Sequence, residues 1–119
     1  MTSFTIHTFK VVFDGTAHNG VVRGCYMLNG HDQRDSGSYW NSDGYSSERG
    51  NYNLLFENCR SSGWTDGGHD HKAESITLTN CTSWDNKRNY RLWGEGTNSV
   101  IFYNINSTEP HVRGKRHID

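Results

Sequence analysis

Asn53-Leu54-Leu55-Phe56-Glu57-Asn58-Cys59 and Ser75-Ile76-Thr77-Leu78-Thr79-Asn80-Cys81 are two copies of one pattern, 22 residues apart (81 minus 59). In each, apolar and polar residues alternate for a few positions and an Asn-Cys pair follows. Alternation with period two is the mark of a strand with one buried face. Ser99-Val100-Ile101-Phe102-Tyr103-Asn104-Ile105 continues the series at an offset of 24 (104 minus 80). Gly20-Val21-Val22-Arg23-Gly24-Cys25 is an earlier copy, separated by a longer insertion. Self-similarity at such a period is the signature of a solenoid, in which each repeat buries its apolar face against its neighbours.

A second register runs between these strands. Trp40, Trp64 and Trp84 recur at offsets of 24 and 20, each followed by a polar turn and another short extended segment, and are expected either to stack as a ladder at a turn or to serve as sugar platforms. Two or three short strands per repeat of about this length predict a parallel β-helix, whose coils stack roughly 4.8 Å apart. Equivalent residues should then form ladders. Leu54, Ile76 and Val100 make one inward ladder, and Phe56, Leu78 and Phe102 another. Cys25, Cys59 and Cys81 make a third as small buried thiols. Asn58, Asn80 and Asn104 stack at a turn, where their amides can bond along the column. A leucine-rich repeat is disfavoured, because its Leu-x-x-Leu-x-Leu pattern and helical half are missing. A small β-sandwich stays open as a rival, although it would not predict ladders of like residues.

The composition fits a thin core. Of 119 residues only 32% are hydrophobic and mean hydropathy is −0.88, yet aromatics reach 13% and there is one Pro, so the chain is not of disordered type. The length suits one domain, residues 1–119. Lys and Arg (12) nearly balance Asp and Glu (13), which gives no overall attraction to nucleic acid. No apolar run is long enough to cross a membrane as a helix. Three Cys without a Cys-x-x-Cys spacing argue against a disulfide scaffold or zinc ribbon.

The stretch Asn58-Cys59-Arg60-Ser61-Ser62-Gly63-Trp64-Thr65-Asp66-Gly67-Gly68-His69-Asp70 resembles a coil of the right-handed β-helix polysaccharide lyases of family nine. Ile76 to Asn86, followed by Arg88-Asn89-Tyr90, resembles them too. The match covers about Asn41 to Trp93. It implies an all-β, right-handed parallel β-helix (solenoid) of about four to five coils. It also implies calcium-assisted β-elimination on an acidic (uronate) polysaccharide such as pectate. There the metal neutralises the substrate carboxylate and a basic residue removes the adjacent proton. Asp66 and Asp70 match the first and last Asp of the family's calcium segment. Gly67 replaces its middle Asp, and His69 replaces an inward Phe. Arg91 stands where the family has its catalytic Lys, and Arg holds its proton far more tightly than Lys.

Alternation along the strands defines the candidate face. Tyr45, His69 and Tyr90 should point inward. Ser46, Asp70 and Arg91 form one outward column, and Glu48, Lys72 and Trp93 the next. In the functional reading Asp66, Asp70 and Asp43 hold calcium, Arg91 and Lys72 are the candidate catalytic bases, and Trp93, Glu48 and Lys72 contact the sugar. The plainer reading is a ladder of surface ion pairs, Asp70 with Arg91 and Glu48 with Lys72, contributing roughly 0–1 kcal/mol each. His69-Asp70-His71 suggests zinc, but both His alternate away from Asp70 and no third ligand stands at a telling spacing.

The segment 27–39 breaks the period and is expected to be a loop insertion, and 109–119 a polar tail. The alternatives to a lyase are a uronan epimerase, a non-catalytic carbohydrate-binding or structural β-helix module of phage-tail or adhesin type, or a fragment of a longer lyase. Expected partners are acidic polysaccharide and, through uncapped coil ends, other copies of the chain; neither nucleic acid nor membrane is expected. The resemblance implies a secreted setting, although Met1 to Lys10 shows no signal peptide.

Overall fold

A computed structural model of the chain describes residues 5–6, 11–30, 42–93, 100–108 and 116–118. Fourteen strands and no helix occur among them. The first three, β1 (Thr5–Ile6), β2 (Val11–Phe13) and β3 (Val21–Arg23), start three different sheets. The chain then repeats this circuit: β4 (Tyr26–Leu28), β5 (Tyr45–Ser47) and β6 (Tyr52–Glu57), then β7 (Arg60–Ser62), β8 (Gly67–His71) and β9 (Glu74–Thr79). It continues with β10 (Thr82–Trp84), β11 (Arg88–Leu92) and β12 (Val100–Tyr103), and ends with β13 (Asn106–Thr108) and β14 (Arg116–Ile118). Sheet one is β1-β4-β7-β10-β13, sheet two β2-β5-β8-β11-β14, and sheet three β3-β6-β9-β12. Every pairing between strands is parallel. The chain is a parallel β-helix of between four and five coils, as its repeat requires.

Columns of left-handed residues make the corners. Gly24, Asn58, Asn80 and Asn104 link sheet three to sheet one, with φ of 66°, 54°, 53° and 54°. Asn29, Gly63 and Asp85 turn the chain out of sheet one (59°, 74°, 54°). Asn19, Asn53 and Ser75 bend it into sheet three (55°, 53°, 55°). This conformation costs most L-residues about 1–2 kcal/mol, and Asn is among the few that tolerate it. The abundance of Asn is therefore corner chemistry. The amides also bond along the columns: Asn104 Nδ2 donates to Asn80 Oδ1 at 2.6 Å, and Asn53 Nδ2 to Asn19 Oδ1 at 2.6 Å.

The inward ladders stand in the expected register. Leu54 lies over Ile76 and Ile76 over Val100; Phe56 lies over Leu78 and Leu78 over Phe102. Leu54, Phe56, Ile76, Leu78, Cys59 and Cys81 are buried. Each of the two buried thiols donates to a carbonyl of the preceding coil, Cys59 to Val22 and Cys81 to Phe56, both at 3.4 Å. The neighbouring Cys81 and burial push the Cys59 thiol far up, so it stays neutral. All three Cys are free thiols.

Half of the core is polar. Ser61 donates to the Gly68 carbonyl and Ser83 to that of Asn89, both at 2.9 Å, tying sheet one to sheet two. Tyr45 and Tyr90 cross the core in the other direction. Their hydroxyls donate to the Cys25 carbonyl at 2.6 Å and the Asn106 carbonyl at 2.9 Å. Buried groups satisfied in this way need few aliphatic neighbours, which accounts for the low hydropathy.

The structure refines three sequence expectations. Trp64 and Trp84 do not share a column. Trp84 lies opposite Ser62 and Thr108. Trp64 is buried one corner further on, donating its Nε1 to the Met27 carbonyl at 2.8 Å. It fits because Gly30 has no side chain there: a Cβ would sit 1.7 Å from the Trp64 ring. Met27 and Leu28, at the start of the expected insertion, are strand residues, while 31–39 and Trp40 lie outside the described residues. The tail contributes a strand, since Arg116 and Ile118 pair with Arg88 and Tyr90.

The corner account predicts unequal tolerance at Asn80. Asn80→Val should lower stability by about 2 kcal/mol, from left-handed strain and the lost amide bond. Asn80→Gly should cost less than half of that. Urea midpoints of the two variants against wild type check it.

Candidate functional site

The candidate residues gather on the outer face of sheet two because parallel register stacks like positions. Ser46 pairs with Asp70 and Asp70 with Arg91. One step on, the Lys72 amide bonds the Ser47 carbonyl and the Trp93 amide that of His71, which aligns Glu48, Lys72 and Trp93. Asp43 and Asp66 precede β5 and β8 at the same corner, and the Asp66 amide bonds the Ser42 carbonyl at 3.0 Å.

The structure brings Asp43, Asp66 and Asp70 together, one carboxylate oxygen of each lying within 4.8 Å of the others. All three are buried. Among the described residues this is the one group of His, Cys, Asp or Glu with the geometry to share a metal ion. Three carboxylates are the hard oxygen donors that calcium takes, although it wants six to eight oxygens in all. The structure gives a steric reason for glycine at position 67. A Cβ there would lie 2.7 Å from Asp43 Oδ1, and that oxygen accepts the Gly67 amide at 2.6 Å. Asp43, from the preceding coil, fills the space a side chain at 67 would need.

Each acid already has a partner. Arg88 Nη1 donates to Asp66 Oδ1 in a largely buried ion pair. Trp93 Nε1 donates to Asp70 Oδ1 at 2.7 Å, and Arg91 lies 3.8 Å from Asp70 Oδ2. Burial pushes the Asp70 carboxyl up; the Trp93 hydrogen bond, Lys72 and Arg91 oppose this, and Asp66 adds to it. Arg88 was not among the residues singled out from the sequence. Its signal was available: it falls opposite Gly67, one residue after Asp66, in the same coil register.

Both ion pairs of the plainer reading form, but only one of them lies at the surface. Lys72 donates to both oxygens of Glu48, at 3.2 and 3.1 Å, at the surface. Asp70 is not at the surface, because the Trp93 indole and Arg91 lie over it. Trp93 itself is 36% exposed. Arg91 stands over its ring at 4.2 Å, with Arg49 at 5.5 Å and Lys72 at 5.7 Å. The result is an aromatic surface ringed by cations, next to a buried acidic cluster.

His69 and His71 point into the core, away from Asp70. His69 is stacked between Tyr45 and Tyr90, with ring centroids at 4.6 and 5.1 Å. Its Nδ1 lies 3.3 Å from His71 Nε2, and His71 Nδ1 lies 3.1 Å from Ser47 Oγ. The bond between the rings needs one of them to accept, so at least one imidazole must be neutral. Burial lowers both, His71 to about 3, and the neighbouring His71 lowers His69 further.

In comparisons with known proteins, no family model, no curated protein and no solved structure matches this chain.

The buried imidazoles set a pH dependence. Both are neutral when folded and free to protonate below about pH 6.5 when unfolded, so stability is lost as pH falls through that value. Between pH 7.5 and 5.5 the two together should remove about 2.5 kcal/mol. Asp70, whose carboxyl burial pushes up, acts with the opposite sign. His69→Phe, which keeps an aromatic ring between Tyr45 and Tyr90, should halve the loss. Urea unfolding at the two pH values measures it.

Proposed function

We propose that the outer face of sheet two binds acidic polysaccharide through a divalent cation held by Asp43, Asp66 and Asp70. The observation that carries this reading is the convergence of three buried carboxylates from two successive coils within 4.8 Å. Calcium suits such donors, and the same ion would take oxygens from a uronate carboxylate. Trp93 offers a ring face for a sugar, and Arg49, Lys72 and Arg91 supply positive charge for carboxylates along the chain. The family resemblance of Asn58 to Asp70 points to the same class of ligand.

If the face is catalytic, the reaction is β-elimination, with Lys72 or Arg91 taking the proton next to a neutralised carboxylate. One observation favours binding without turnover. Both candidate bases are engaged, Lys72 with both oxygens of Glu48 and Arg91 with Asp70 and the Trp93 ring. A carbohydrate-binding β-helix module is therefore the second reading, on the same residues.

Calorimetry with calcium, with and without pectate or alginate, tests both. Calcium should bind with Kd on the order of 10⁻⁴–10⁻³ M, as in weak extracellular sites. Asp70→Asn should weaken it at least tenfold, and uronate should bind only when calcium is present. Ultraviolet absorbance of unsaturated product, abolished in Lys72→Ala or Arg91→Ala, would assign the lyase reaction. Calcium-dependent uronate binding with flat absorbance would assign the binding module. Absence of calcium-dependent binding to either polysaccharide would overturn the proposal.

A further inference from the structure

The thiols inside the coil take no part in the face of sheet two. The Arg60 amide bonds the Cys25 carbonyl at 2.9 Å and the Thr82 amide that of Cys59 at 3.0 Å, so Cys25, Cys59 and Cys81 stand in one column on successive coils. All three are free. Neighbouring strands lie roughly 4.8 Å apart, inside the range of about 4.4–6.8 Å between Cα atoms that a disulfide spans. Cys25 and Cys81, two coils apart, fall outside it. The column can therefore join Cys25 to Cys59, or Cys59 to Cys81.

The direction of the thiols serves both pairs. Cys59 Sγ lies 3.4 Å from the Val22 carbonyl as well as from that of Glu57. Val22 stands opposite Phe56, in the same coil position before Cys25 that Phe56 holds before Cys59, so the Cys59 thiol leans toward Cys25. Cys81 leans toward Cys59 in the same way, with Sγ 3.4 Å from the Phe56 carbonyl. Access separates the pairs. Cys59 and Cys81 are fully buried, whereas Cys25 is partly exposed and its thiol bonds only a carbonyl of its own coil, that of Arg23 at 3.4 Å. The Tyr45 hydroxyl steadies the exposed pair. It lies 2.6 Å from the Cys25 carbonyl and 3.1 Å from that of Arg60, bridging the two strand starts.

We propose that Cys25 and Cys59 are a modification site for small-molecule disulfides such as glutathione disulfide, which convert the two thiols into a cross-link between successive coils. The Cys25 thiol loses its proton to solvent, and its sulfur attacks one sulfur of the reagent. The reagent's S–S bond breaks, and one thiolate leaves and takes up a proton. Cys59, its proton lost in turn, attacks Cys25 Sγ, forms the cross-link and releases the second thiol. The two cysteines give up two hydrogens and two electrons, and the reagent gains them. Burial and the neighbouring Cys59 push the Cys25 thiol up, so the reaction is slow at neutral pH and quickens as pH rises.

Each Cys lies on its own tryptic peptide, 24–34, 50–60 and 73–87. The folded full chain is incubated with excess glutathione disulfide, quenched with an alkylating agent in urea, digested and mapped by mass spectrometry. Peptides 24–34 and 50–60 should appear joined, with Cys81 alkylated. The joined form should accumulate about tenfold faster for each pH unit gained. It closes a ring of residues 25–59 in the unfolded chain, so it should raise the urea midpoint, and a reductant should reverse the rise. Cys25→Ser should leave Cys59 and Cys81 reduced, and Cys81→Ala should keep the cross-link. No reaction, glutathione retained on Cys25 without closure, a Cys59–Cys81 bond, two chains joined through Cys25, or a cross-link that lowers the midpoint would each overturn it.

Discussion

Everything in this molecule depends on the left-handed corner at Gly24, Asn58, Asn80 and Asn104. A parallel coil can stack on its neighbour only if it leaves each strand at the same place. One residue more or fewer between corners would turn an inward ladder outward. Residues that tolerate positive φ at that corner hold the alternation in phase. Cys59 and Cys81 then follow at a fixed step, as does the Ser61–Ser83 column beyond them. The sites of interest on sheet two inherit their alignment from corners on the other side of the coil.

That alignment creates both the core and the acidic cluster. Inside, hydroxyls, imidazoles and phenols replace aliphatic bulk, and each finds a carbonyl or a ring. Outside, Asp43 reaches up to the Gly67 amide, and Asp66 and Asp70 come from the next coil. Three carboxylates held close and away from water repel one another unless positive charge is nearby. Arg88 and Arg91 supply part of it. A bound cation would supply more, in competition with Arg88 for Asp66. The proposed site is thus a balance between internal ion pairs and an external ion, and weak affinity follows from that balance.

The fold was legible because the strongest signals are periodic. Leu54 with Ile76, Phe56 with Leu78 and Asn58 with Asn80 repeat at a constant offset, and each pair meets in the structure. The outward columns of sheet two followed by alternation alone. The Trp recurrence misled for a physical reason. The step of 20 from Trp64 to Trp84 falls two short of the 22-residue coil, so Trp84 stands opposite Ser62, and Trp64 aligns with Gly30 and Asn86 instead. The buried Ser61 and Ser83 were hidden because Ser reads as turn or surface until its acceptor across the core is known. Burial of Asp70 was hidden likewise. It depends on Trp93, which belongs to a neighbouring column and folds its indole over the carboxylate.

The central claim is that coil register assembles Asp43, Asp66 and Asp70 into one cation site. Crystals grown with a lanthanide in place of calcium, and an anomalous difference map from them, test it most directly. The account predicts a single strong peak on sheet two, about 2.3–2.6 Å from oxygens of all three carboxylates, with Arg88 turned away from Asp66. A map with no peak there, and the carboxylates still on Gly67, Arg88 and Trp93, would contradict it.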